Sequence, residues 1–441
     1  MDSLLNSPIA RLGEARIDSP LLERLGDGDP LERFVKDTDR VLFDDMQSEA
    51  AARSGGAQGW PSFELAGARK KIYFDPTKLK VGIVTCGGLC PGMNNVIAGL
   101  IQELRILYGV RHITGFRNGY RGFIAKYGHE TMDLSNIDVQ PIRSMGGSIL
   151  GTSRGNQDPV EVVDALEQLG IGVLFVIGGD GTMRGAQAIA EEIRVRERKI
   201  AIVCIPKTID NDIPYIDQSF GFQTAFAEAA HAIKSGYVEA TAAPNGISII
   251  KLMGRYSGFI ACFASLADTS ADVVLIPEVP FEFDGDDGLL AHIKKQLQQE
   301  GHVVIVTAEG AGQEHFAESF EIDASGNRKL QDIGGLLRRR VQDYFADHGV
   351  EISLKYIDPS YAIRSVAANA YDSVYCIQLA QAAVHAAMAG VTEVVVGRFH
   401  RKFVHLPIPL LVAKTNQVDP SGDLWWSVLE NTGQPEQFVS H

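Results

Sequence analysis

The sequence predicts an α/β protein with mainly parallel sheets sandwiched by helices. Seven short runs of Val, Ile and other apolar residues alternate with turns and amphipathic stretches. Continuous runs of this kind are typical of parallel strands that are covered on both faces. At 441 residues the chain is too long for one simple domain. We therefore expect two sheets rather than one.

The order of these runs predicts the domain organisation. The predicted strands cover residues 81–86, 172–177, 199–205, 246–252, 272–276, 302–308 and 393–399. Helical stretches lie between several of them, such as 158–170 and 224–240, and the stretch SFELAGARKKIYFD reads as extended. We predict two Rossmann-like lobes and an N-terminal extension. The extension takes residues 1–75, the first lobe 76–224 plus 365–410, and the second lobe 225–364 plus 411–441.

Composition limits the classes of partner. Hydrophobic residues make up 45% of the chain and charged residues 22%, as in ordinary globular proteins. The net charge of -14 argues against nucleic acid, because neutralising its phosphates needs clustered Lys and Arg. No stretch approaches the ~20 apolar residues of a membrane span, and the first residues lack a secretory signal pattern. We expect a cytoplasmic protein, without nucleic-acid or membrane partners, whose five cysteines are reduced.

Unusual residues gather where the predicted strands end. The strand ends read CGGLCPG, GGDGT, PKTIDND, MGRYSG and EGAG. In open parallel sheets, ligands bind beyond the carboxyl ends of the strands. Five polar, glycine-rich tips are more than ordinary turns require, so they indicate a ligand site.

Two of these tips suit phosphate groups. In Gly87-Gly88 and the residues up to Asn95, glycines let backbone N–H groups approach a phosphate beside a helix N-terminus, although a tight βα turn explains the pattern equally well. The tip lacks the ending of a Walker A loop and does not fit a dinucleotide fingerprint. Asp180, flanked by glycines, suits a Mg²⁺ that bridges nucleotide phosphates; the alternative is an Asx-type turn. Gly181 leaves room for phosphate oxygens, and the Thr182 hydroxyl is a donor.

The PKTIDND tip carries two carboxylates. One plausible division makes Asp210 the base for an attacking hydroxyl, while Asp212 supports a metal or the loop. A cation such as Lys207 would keep Asp210 ionised. The alternative is a solvated acidic turn.

Arginines and one further carboxylate complete the set. Arg154 and Arg255 lie beside glycines, where a guanidinium can grip phosphate in a fork. Glu309, after the predicted strand 302–308, is a candidate acceptor for sugar hydroxyls. The candidate residues thus include a base, a metal-binding carboxylate, phosphate-binding glycines and several cations. This combination is typical of phosphoryl transfer, in which positioning and charge neutralisation supply most of the catalysis.

These motifs, in this order, resemble the phosphofructokinase family. The matching stretches are GGLCPGMNN, GYRG, GGSILGTSRG, GGDGT, PKTIDNDI, MGRYSGF and AEGAG, within a resemblance over about residues 62–435. IDPSYAIRS and LWWSVLENTGQP are most similar to the plant and trypanosomatid branch. The resemblance implies transfer of the γ-phosphate of Mg-ATP to the 1-hydroxyl of fructose 6-phosphate, giving fructose 1,6-bisphosphate in glycolysis. It also implies a homotetramer in which the neighbouring subunit helps to grip the sugar 6-phosphate.

The resemblance assigns roles residue by residue. Asp210 would deprotonate the sugar hydroxyl, Thr208 would place it, and Asp180 would bind Mg²⁺. Lys207 would neutralise the γ-phosphate. The first lobe would bind the nucleotide through Gly88, Tyr120, Arg154, Gly179, Asp180, Gly181 and Thr182. The second lobe would bind fructose 6-phosphate through Met253, Gly254, Arg255, Glu309, Lys355, Tyr361 and Arg364, with Arg255 also facing the transferred group.

Two positions bear on the phosphoryl donor. Family members that use pyrophosphate typically have Asp in place of Gly181 and carry Lys where Lys207 stands. Gly181 leaves space for the rest of ATP, so ATP is favoured and pyrophosphate remains the alternative. The sequence departs from the family pattern at Gly246, where bacterial ATP enzymes have an Arg. We therefore expect binding of the sugar 6-phosphate to be weaker or to use other residues.

Other functions share single features with this chain. NAD kinases and lipid kinases also carry GGDGT, but lack the PKTIDNDI and MGR segments. A non-catalytic sugar-phosphate sensor predicts loss of Asp180 or Asp210, and both are present. A dehydrogenase is disfavoured by the poor dinucleotide fingerprint.

Overall fold

The computed structural model describes residues 8–24, 34–46, 60–317, 321 and 329–440. Within these ranges the chain is an α/β protein with two main sheets, as the sequence predicts. In chain order the strands are β1 (Ile17–Asp18), β2 (Arg40–Leu42), β3 (Ser62–Leu65), β4 (Lys71–Ile72), β5 (Lys80–Thr85), β6 (His112–Phe116), β7 (Met132–Asp133), β8 (Val173–Gly178), β9 (Ala201–Pro206), β10 (Gly246–Leu252), β11 (Val273–Leu275), β12 (His302–Ala308), β13 (Ser353–Ile357), β14 (Val394–Phe399) and β15 (Lys402–Pro407).

Helices separate most of the strands. They are α1 (Leu21–Arg24), α2 (Met93–Gln102), α3 (Gln140–Arg143), α4 (Pro159–Leu169), α5 (Asp180–Val195), α6 (Phe222–Thr241), α7 (Phe259–Ala267), α8 (Leu289–Glu300), α9 (Ile333–Asp347), α10 (Ser360–Ser365), α11 (Ala370–Met388), α12 (Ile408–Leu411) and α13 (Asp423–Thr432). A π-helical segment, Glu103–Tyr108, continues α2, and short 3₁₀ turns cover Gly119–Phe123, Ala125–Tyr127 and Gln313–His315. Within the described chain, no helix is long and apolar enough to cross a membrane.

The larger sheet is parallel at its centre and antiparallel at its edges. Its described strands run in the order β2-β3-β15-β14-β9-β8-β5-β6-β7. Neighbours from β14 to β6 pair in parallel, while β7 at one edge and β15, β3 and β2 at the other pair antiparallel. All residues of β8 are buried, because helices cover both faces of the parallel centre. Two strands of the predicted extension, β2 and β3, therefore belong to this sheet.

The smaller sheet is wholly parallel. Its order is β11-β12-β10-β13, and the pairing of β10 with β12 aligns Gly246 with His302 and Leu252 with Ala308. The tail crosses to this lobe: α13 packs against α7 and β11. A separate two-stranded sheet joins β1 to β4.

Apolar clusters lie on both faces of each main sheet. One fills the space between the sheets, joining Ile83 and Phe175 of the larger sheet to Ile250 of the smaller through α2, α6, α7 and α11. A second packs α4, α5 and α12 on the outer face of the larger sheet, and a third packs α8 and α9 on the outer face of the smaller. Because the first cluster is shared, the two lobes bury apolar surface against each other and hold the ends of their strands together.

Candidate active site

The ends of four parallel strands meet at a cleft of about 430 Å³. Its walls come from the segments after β5, β8, β9 and β10, as expected for an open α/β sheet. The predicted site residues that line it are Gly88, Tyr120, Arg154, Gly179, Asp180, Gly181, Thr182, Lys207, Thr208, Asp210, Met253, Arg255 and Arg364.

One wall of the cleft is suited to anions. Helix α5 begins at Asp180, so the backbone N–H groups of its first turn, including those of Gly181 and Thr182, lack partners within the helix. Such a helix start carries partial positive charge and attracts phosphate. Gly87 has φ 87°, in the region that favours glycine. We call the Gly87-Gly88 turn and the start of α5 the phosphate cradle.

Two guanidinium groups converge on the phosphate cradle. A Cβ placed on Gly88 would lie 3.7 Å from Nη2 of Arg154 and 4.0 Å from Nη1 of Arg364. Arg154 follows the GTS turn of the first lobe, whereas Arg364 belongs to α10. The glycine therefore leaves the space in which cations from distant parts of the chain can approach bound phosphate groups.

The candidate magnesium residue lies at the start of α5. The side chain of Asp180 is 51% exposed and accepts a hydrogen bond of 2.8 Å from Arg184. Burial nevertheless raises its pKa, against the lowering effect of Arg184. The described residues contain no group of three or more His, Cys, Asp or Glu that could hold a metal alone. A single exposed carboxylate beside an anion site fits Mg²⁺, which keeps several waters and binds through substrate phosphates.

Residues 207–213, the segment after β9, form a loop that carries the candidate base Asp210 and is here called the catalytic loop. Lys207 is 5% exposed, and its Nζ donates to the carbonyl oxygen of Gly88 at 2.8 Å. Burial lowers the pKa of this ammonium group. Asn211 has φ 56°, and its Oδ1 accepts from the Ser219 N–H at 2.9 Å. Ser219 Oγ also donates to the carbonyl oxygen of Thr208 at 2.6 Å, so the loop is fixed by its own side chains.

Asp210 carries the least satisfied carboxylate of this loop. Its Oδ1 is buried and has no hydrogen-bond partner among the described residues. Burial, followed by the neighbouring charges of Asp212 and Glu309, raises the pKa of Asp210 well above its usual range. The sequence analysis expected Lys207 to determine the ionisation of Asp210. In the structure, burial has the largest effect on the pKa of Asp210. A carboxyl group of this kind in a cleft is a candidate general base.

The smaller lobe contributes residues 253–258, the arginine loop. Gly254 has φ 123°, and a Cβ there would lie 2.4 Å from the carbonyl oxygen of Ser257. The N–H of Gly310 donates to the Gly254 carbonyl at 3.0 Å. Ser257 Oγ donates to the carbonyl oxygen of Asp210 at 3.0 Å. The loop that carries Arg255 is therefore tied directly to the catalytic loop.

Four predicted site residues do not line the cleft. Gly254 lies in the arginine loop and Glu309 directly follows β12. Burial raises the pKa of Glu309 by more than the nearby charge of Arg255 lowers it. Tyr361 is 77% exposed, with the Arg364 guanidinium 4.7 Å from its ring centre. Lys355 lies in the middle of edge strand β13, with its Nζ 3.9 Å from Glu239. Its place in mid-strand keeps Lys355 away from the strand end where the cleft lies.

Several cleft residues escaped the sequence prediction. Arg184 and Asn156 lie near the phosphate cradle. Leu411, Lys414 and Thr415 line the same cleft from far along the chain, with the Lys414 Nζ 4.6 Å above the Tyr215 ring. No glycine-rich tip or strand end marks residues 411–415, because only the tertiary fold brings them to the cleft.

Comparisons with known proteins all match phosphofructokinases. Residues 80–387 match the family model described as Phosphofructokinase. An ATP-dependent 6-phosphofructokinase of Amycolatopsis methanolica is 54% identical over 97% of this chain and 94% of its own length. ATP-dependent 6-phosphofructokinase 7 of Arabidopsis thaliana is 47% identical over 89% of this chain and 81% of its own length. The crystal structure of a pyrophosphate-dependent phosphofructokinase from Nitrosospira multiformis superposes with a TM-score of 0.66 at 19% identity, over 82% of this chain and 94% of its own. This last likeness concerns the fold alone.

Proposed function

This chain belongs to the phosphofructokinase family, and from that premise we propose that it is an ATP-dependent 6-phosphofructokinase. It transfers the γ-phosphate of Mg-ATP to the 1-hydroxyl of fructose 6-phosphate, giving fructose 1,6-bisphosphate. The observation that carries the proposal is Asp210, which lines the same cleft as the phosphate cradle and the arginine loop and whose buried Oδ1 has no hydrogen-bond partner among the described residues. The names of the relatives support the same activity.

The geometry supports a division of labour in phosphoryl transfer. Asp210 accepts the proton of the 1-hydroxyl as the sugar oxygen forms its bond to the γ-phosphorus and the bond to ADP breaks. Thr208 helps to place the hydroxyl. The phosphate cradle and Arg154 hold the ATP phosphates, while Lys207 and Arg255 neutralise the transferred group. A magnesium ion, when held by Asp180, supplies further charge neutralisation.

The sugar phosphate belongs to the second lobe in this proposal. Met253, Arg255 and Arg364 line the cleft and would bind fructose 6-phosphate directly, together with Gly254 and Glu309. Lys355 and Tyr361 are exposed and lie outside the cleft walls. Their exposure supports a contribution across a subunit boundary, and we include a homotetramer and a cytoplasmic location in the proposal.

The predicted lobes fit this division. Strands β5 to β9 of the nucleotide lobe, 76–224 plus 365–410, share the larger sheet with β14 and β15. Strands β10 to β13 of the sugar-phosphate lobe, 225–364 plus 411–441, form the smaller sheet. The placement of α13 against this sheet supports assigning the tail to the second lobe.

Pyrophosphate is the second candidate donor. The observation that favours it is Lys207, which is buried and fixed to Gly88 beside the phosphate cradle. The observation that favours ATP is the exposed Gly181 in the first turn of α5, where no side chain obstructs the rest of the nucleotide.

A side-by-side assay tests the proposal. Fructose 6-phosphate is incubated with Mg²⁺ and either ATP or pyrophosphate, and fructose 1,6-bisphosphate is measured. We expect turnover with ATP and at least ~100-fold lower kcat/KM with pyrophosphate, equivalent to about 2.7 kcal/mol of transition-state discrimination. Turnover with pyrophosphate alone would make Lys207 the determinant of donor choice. Absence of turnover with either donor would favour a non-catalytic sugar-phosphate sensor. Asp210→Asn is the control for contaminating kinase activity.

A further inference from the structure

A segment beyond the family match crosses between the two lobes. Residues 412–418, here called the crossing segment, follow α12 and lie outside the residues 80–387 that the family model covers. Leu411, just before it, is buried in the cluster on the outer face of the larger sheet. Val418, at its end, is buried in the cluster between the sheets. Both ends are therefore anchored, and the part between them runs past the cleft, where Lys414 and Thr415 line the wall.

The crossing segment forms hydrogen bonds to backbone carbonyl groups of the catalytic loop. The N–H of Asn416 donates to the carbonyl oxygen of Asp212 at 2.7 Å. Its side-chain Nδ2 donates to the carbonyl oxygen of Asn211 at 3.3 Å. Asn211 has φ 56°, a left-handed conformation that Asn tolerates better than most other residues and that hydrogen bonds from the surroundings hold in place. Asn416 supplies part of that fixation.

The next residue reaches the opposite lobe. Nε2 of Gln417 donates to the carbonyl oxygen of Tyr256 in the arginine loop at 2.8 Å. The N–H of Val418 donates to Oε1 of Glu278 at 2.8 Å, and the same oxygen accepts from the N–H of Gly258 at 2.9 Å. The arginine loop is thus held at Tyr256 directly and at Gly258 through Glu278.

We propose that Asn416 and Gln417 are positioning residues that fix the position of Asp210 relative to Arg255 across the cleft. Consecutive residues bind loops from different lobes, so a shift of one loop relative to the other breaks at least one of these bonds. The proposal rests on the proposed function, because it concerns the alignment of the candidate base with the sugar-phosphate loop. Neither side chain lines the cleft, so both act through the loops they hold.

A double variant tests the kinetic consequence. Asn416→Ala with Gln417→Ala removes both side-chain bonds. We expect kcat for fructose 6-phosphate to fall about tenfold, since small misplacements of a catalytic group by distant mutations cost up to ~100-fold. The KM for ATP should stay within about twofold, because the phosphate cradle is not touched. An unchanged kcat, or a rise in the KM for ATP as large as the fall in kcat, overturns the proposal.

A matched control separates positioning from general support of the tail. Nε2 of Gln437 donates to the carbonyl oxygen of Pro280 at 3.0 Å, an amide-to-backbone bond of the same kind at an exposed position outside the cleft. Gln437→Ala should leave kcat and both KM values within about twofold of the parent enzyme. If it lowers kcat as much as the double variant does, general tail support explains the effect and the proposal fails.

Hydrogen exchange provides a readout that does not depend on activity. In the unliganded protein, the double variant should speed amide exchange in peptides that cover residues 208–213 and 255–258 at least fivefold. Peptides from β8 and α2 should be unchanged, which shows that the fold is intact. Unaltered exchange in both loops overturns the proposal. If the parent protein does not phosphorylate fructose 6-phosphate, the proposed function fails, and the exchange result still decides whether the crossing segment holds the two loops.

Discussion

Two of the regions that hold buried charges differ in whether those charges have partners. The first is the cleft, with Lys207 and Asp210 at the end of β9. The second, here called the Glu64 cluster, lies at the antiparallel edge of the larger sheet, where β3 pairs with β15. It consists of Glu64, Arg11, Arg69, His405 and Asp37.

In the Glu64 cluster the carboxylate is satisfied on all sides. Glu64 accepts from Arg11 through both oxygens at 2.8 Å, from Arg69 at 3.2 Å, and from Nδ1 of His405 at 2.9 Å. Burial alone would raise the pKa of Glu64, but its hydrogen bonds and ion pairs with His405 and Arg11 outweigh burial and lower it. The ionised form is therefore the form that the fold stabilises.

In the cleft the balance is reversed. Asp210 lacks a partner for Oδ1 within the described chain, and burial together with nearby carboxylates raises its pKa. The difference lies in the partners, since each carboxylate is withdrawn from water. A buried charge with a full set of partners stabilises the native arrangement, whereas one without them stays available to a ligand. Four predictions test this contrast.

The largest effect is expected at Asp210. Asp210→Asn keeps the shape of the side chain but cannot accept a proton, so kcat should fall by ~10²–10⁴. The free energy of unfolding should stay the same or rise, because the variant removes a poorly partnered carboxylate. Steady-state kinetics with ATP and urea unfolding of the same sample measure the two quantities. A loss of less than tenfold in kcat would show that Asp210 is not the base.

At Glu64 we expect the opposite result, a loss of stability without a loss of activity. Glu64→Gln leaves Arg69, which is 6% exposed, without its buried counter-charge. Breaking a buried pair by removing one partner costs about 3–5 kcal/mol, so the free energy of unfolding in urea should fall by that amount. The kcat of the folded variant should match the parent enzyme, since the cluster lies outside the cleft. A cost below about 1 kcal/mol would contradict the structural role given to this cluster.

The third prediction concerns the pH dependence of that cost. The pKa of Glu64 is lowered from its usual 4.5, so its contribution to stability is present above pH 4.5 and is lost as the pH falls toward the folded pKa. Glutamine does not titrate. The difference in unfolding free energy between parent and Glu64→Gln should therefore shrink below about pH 4.5. Urea unfolding at pH 5 and 4 measures it, with His405→Gln in both proteins so that the neighbouring imidazole does not titrate, and a difference that grows on acidification would reverse the sign argued here.

The parts of the fold that the sequence predicted are those with a strong local signal. Strands β10 and β12 lie where the continuous Val and Ile runs place them, residue for residue. Strands β1, β2, β6, β7, β13 and β15 were not predicted. They are short or carry polar residues, and pairing with a neighbour determines their conformation more than intrinsic preference does.

The site divides in the same way. The Gly88, Asp180 and Lys207 tips could be predicted as cleft residues because each has a local glycine-rich or polar pattern at a strand end. The contact of His405 with Glu64 spans 341 positions of sequence, and that of Asn416 with Asn211 spans 205. No local pattern predicts such pairs, because the fold alone brings them together.

The smallest effect is expected at Asp37, which shares its partners with Glu64. Asp37 lies 3.1 Å from Nη2 of Arg11 and 2.9 Å from Nε of Arg69, yet its side chain is 59% exposed, against 6% for Glu64. Solvent screens exposed ion pairs, so Asp37→Asn should cost at most about 1 kcal/mol, less in 1 M salt. Both carboxylates bind the same two arginines, and Glu64 is in addition buried and bonded to His405, so the comparison with Glu64→Gln measures what the buried, fully partnered position adds. Equal costs for the two variants would show that the number of ion pairs, rather than burial, determines the stability of the cluster.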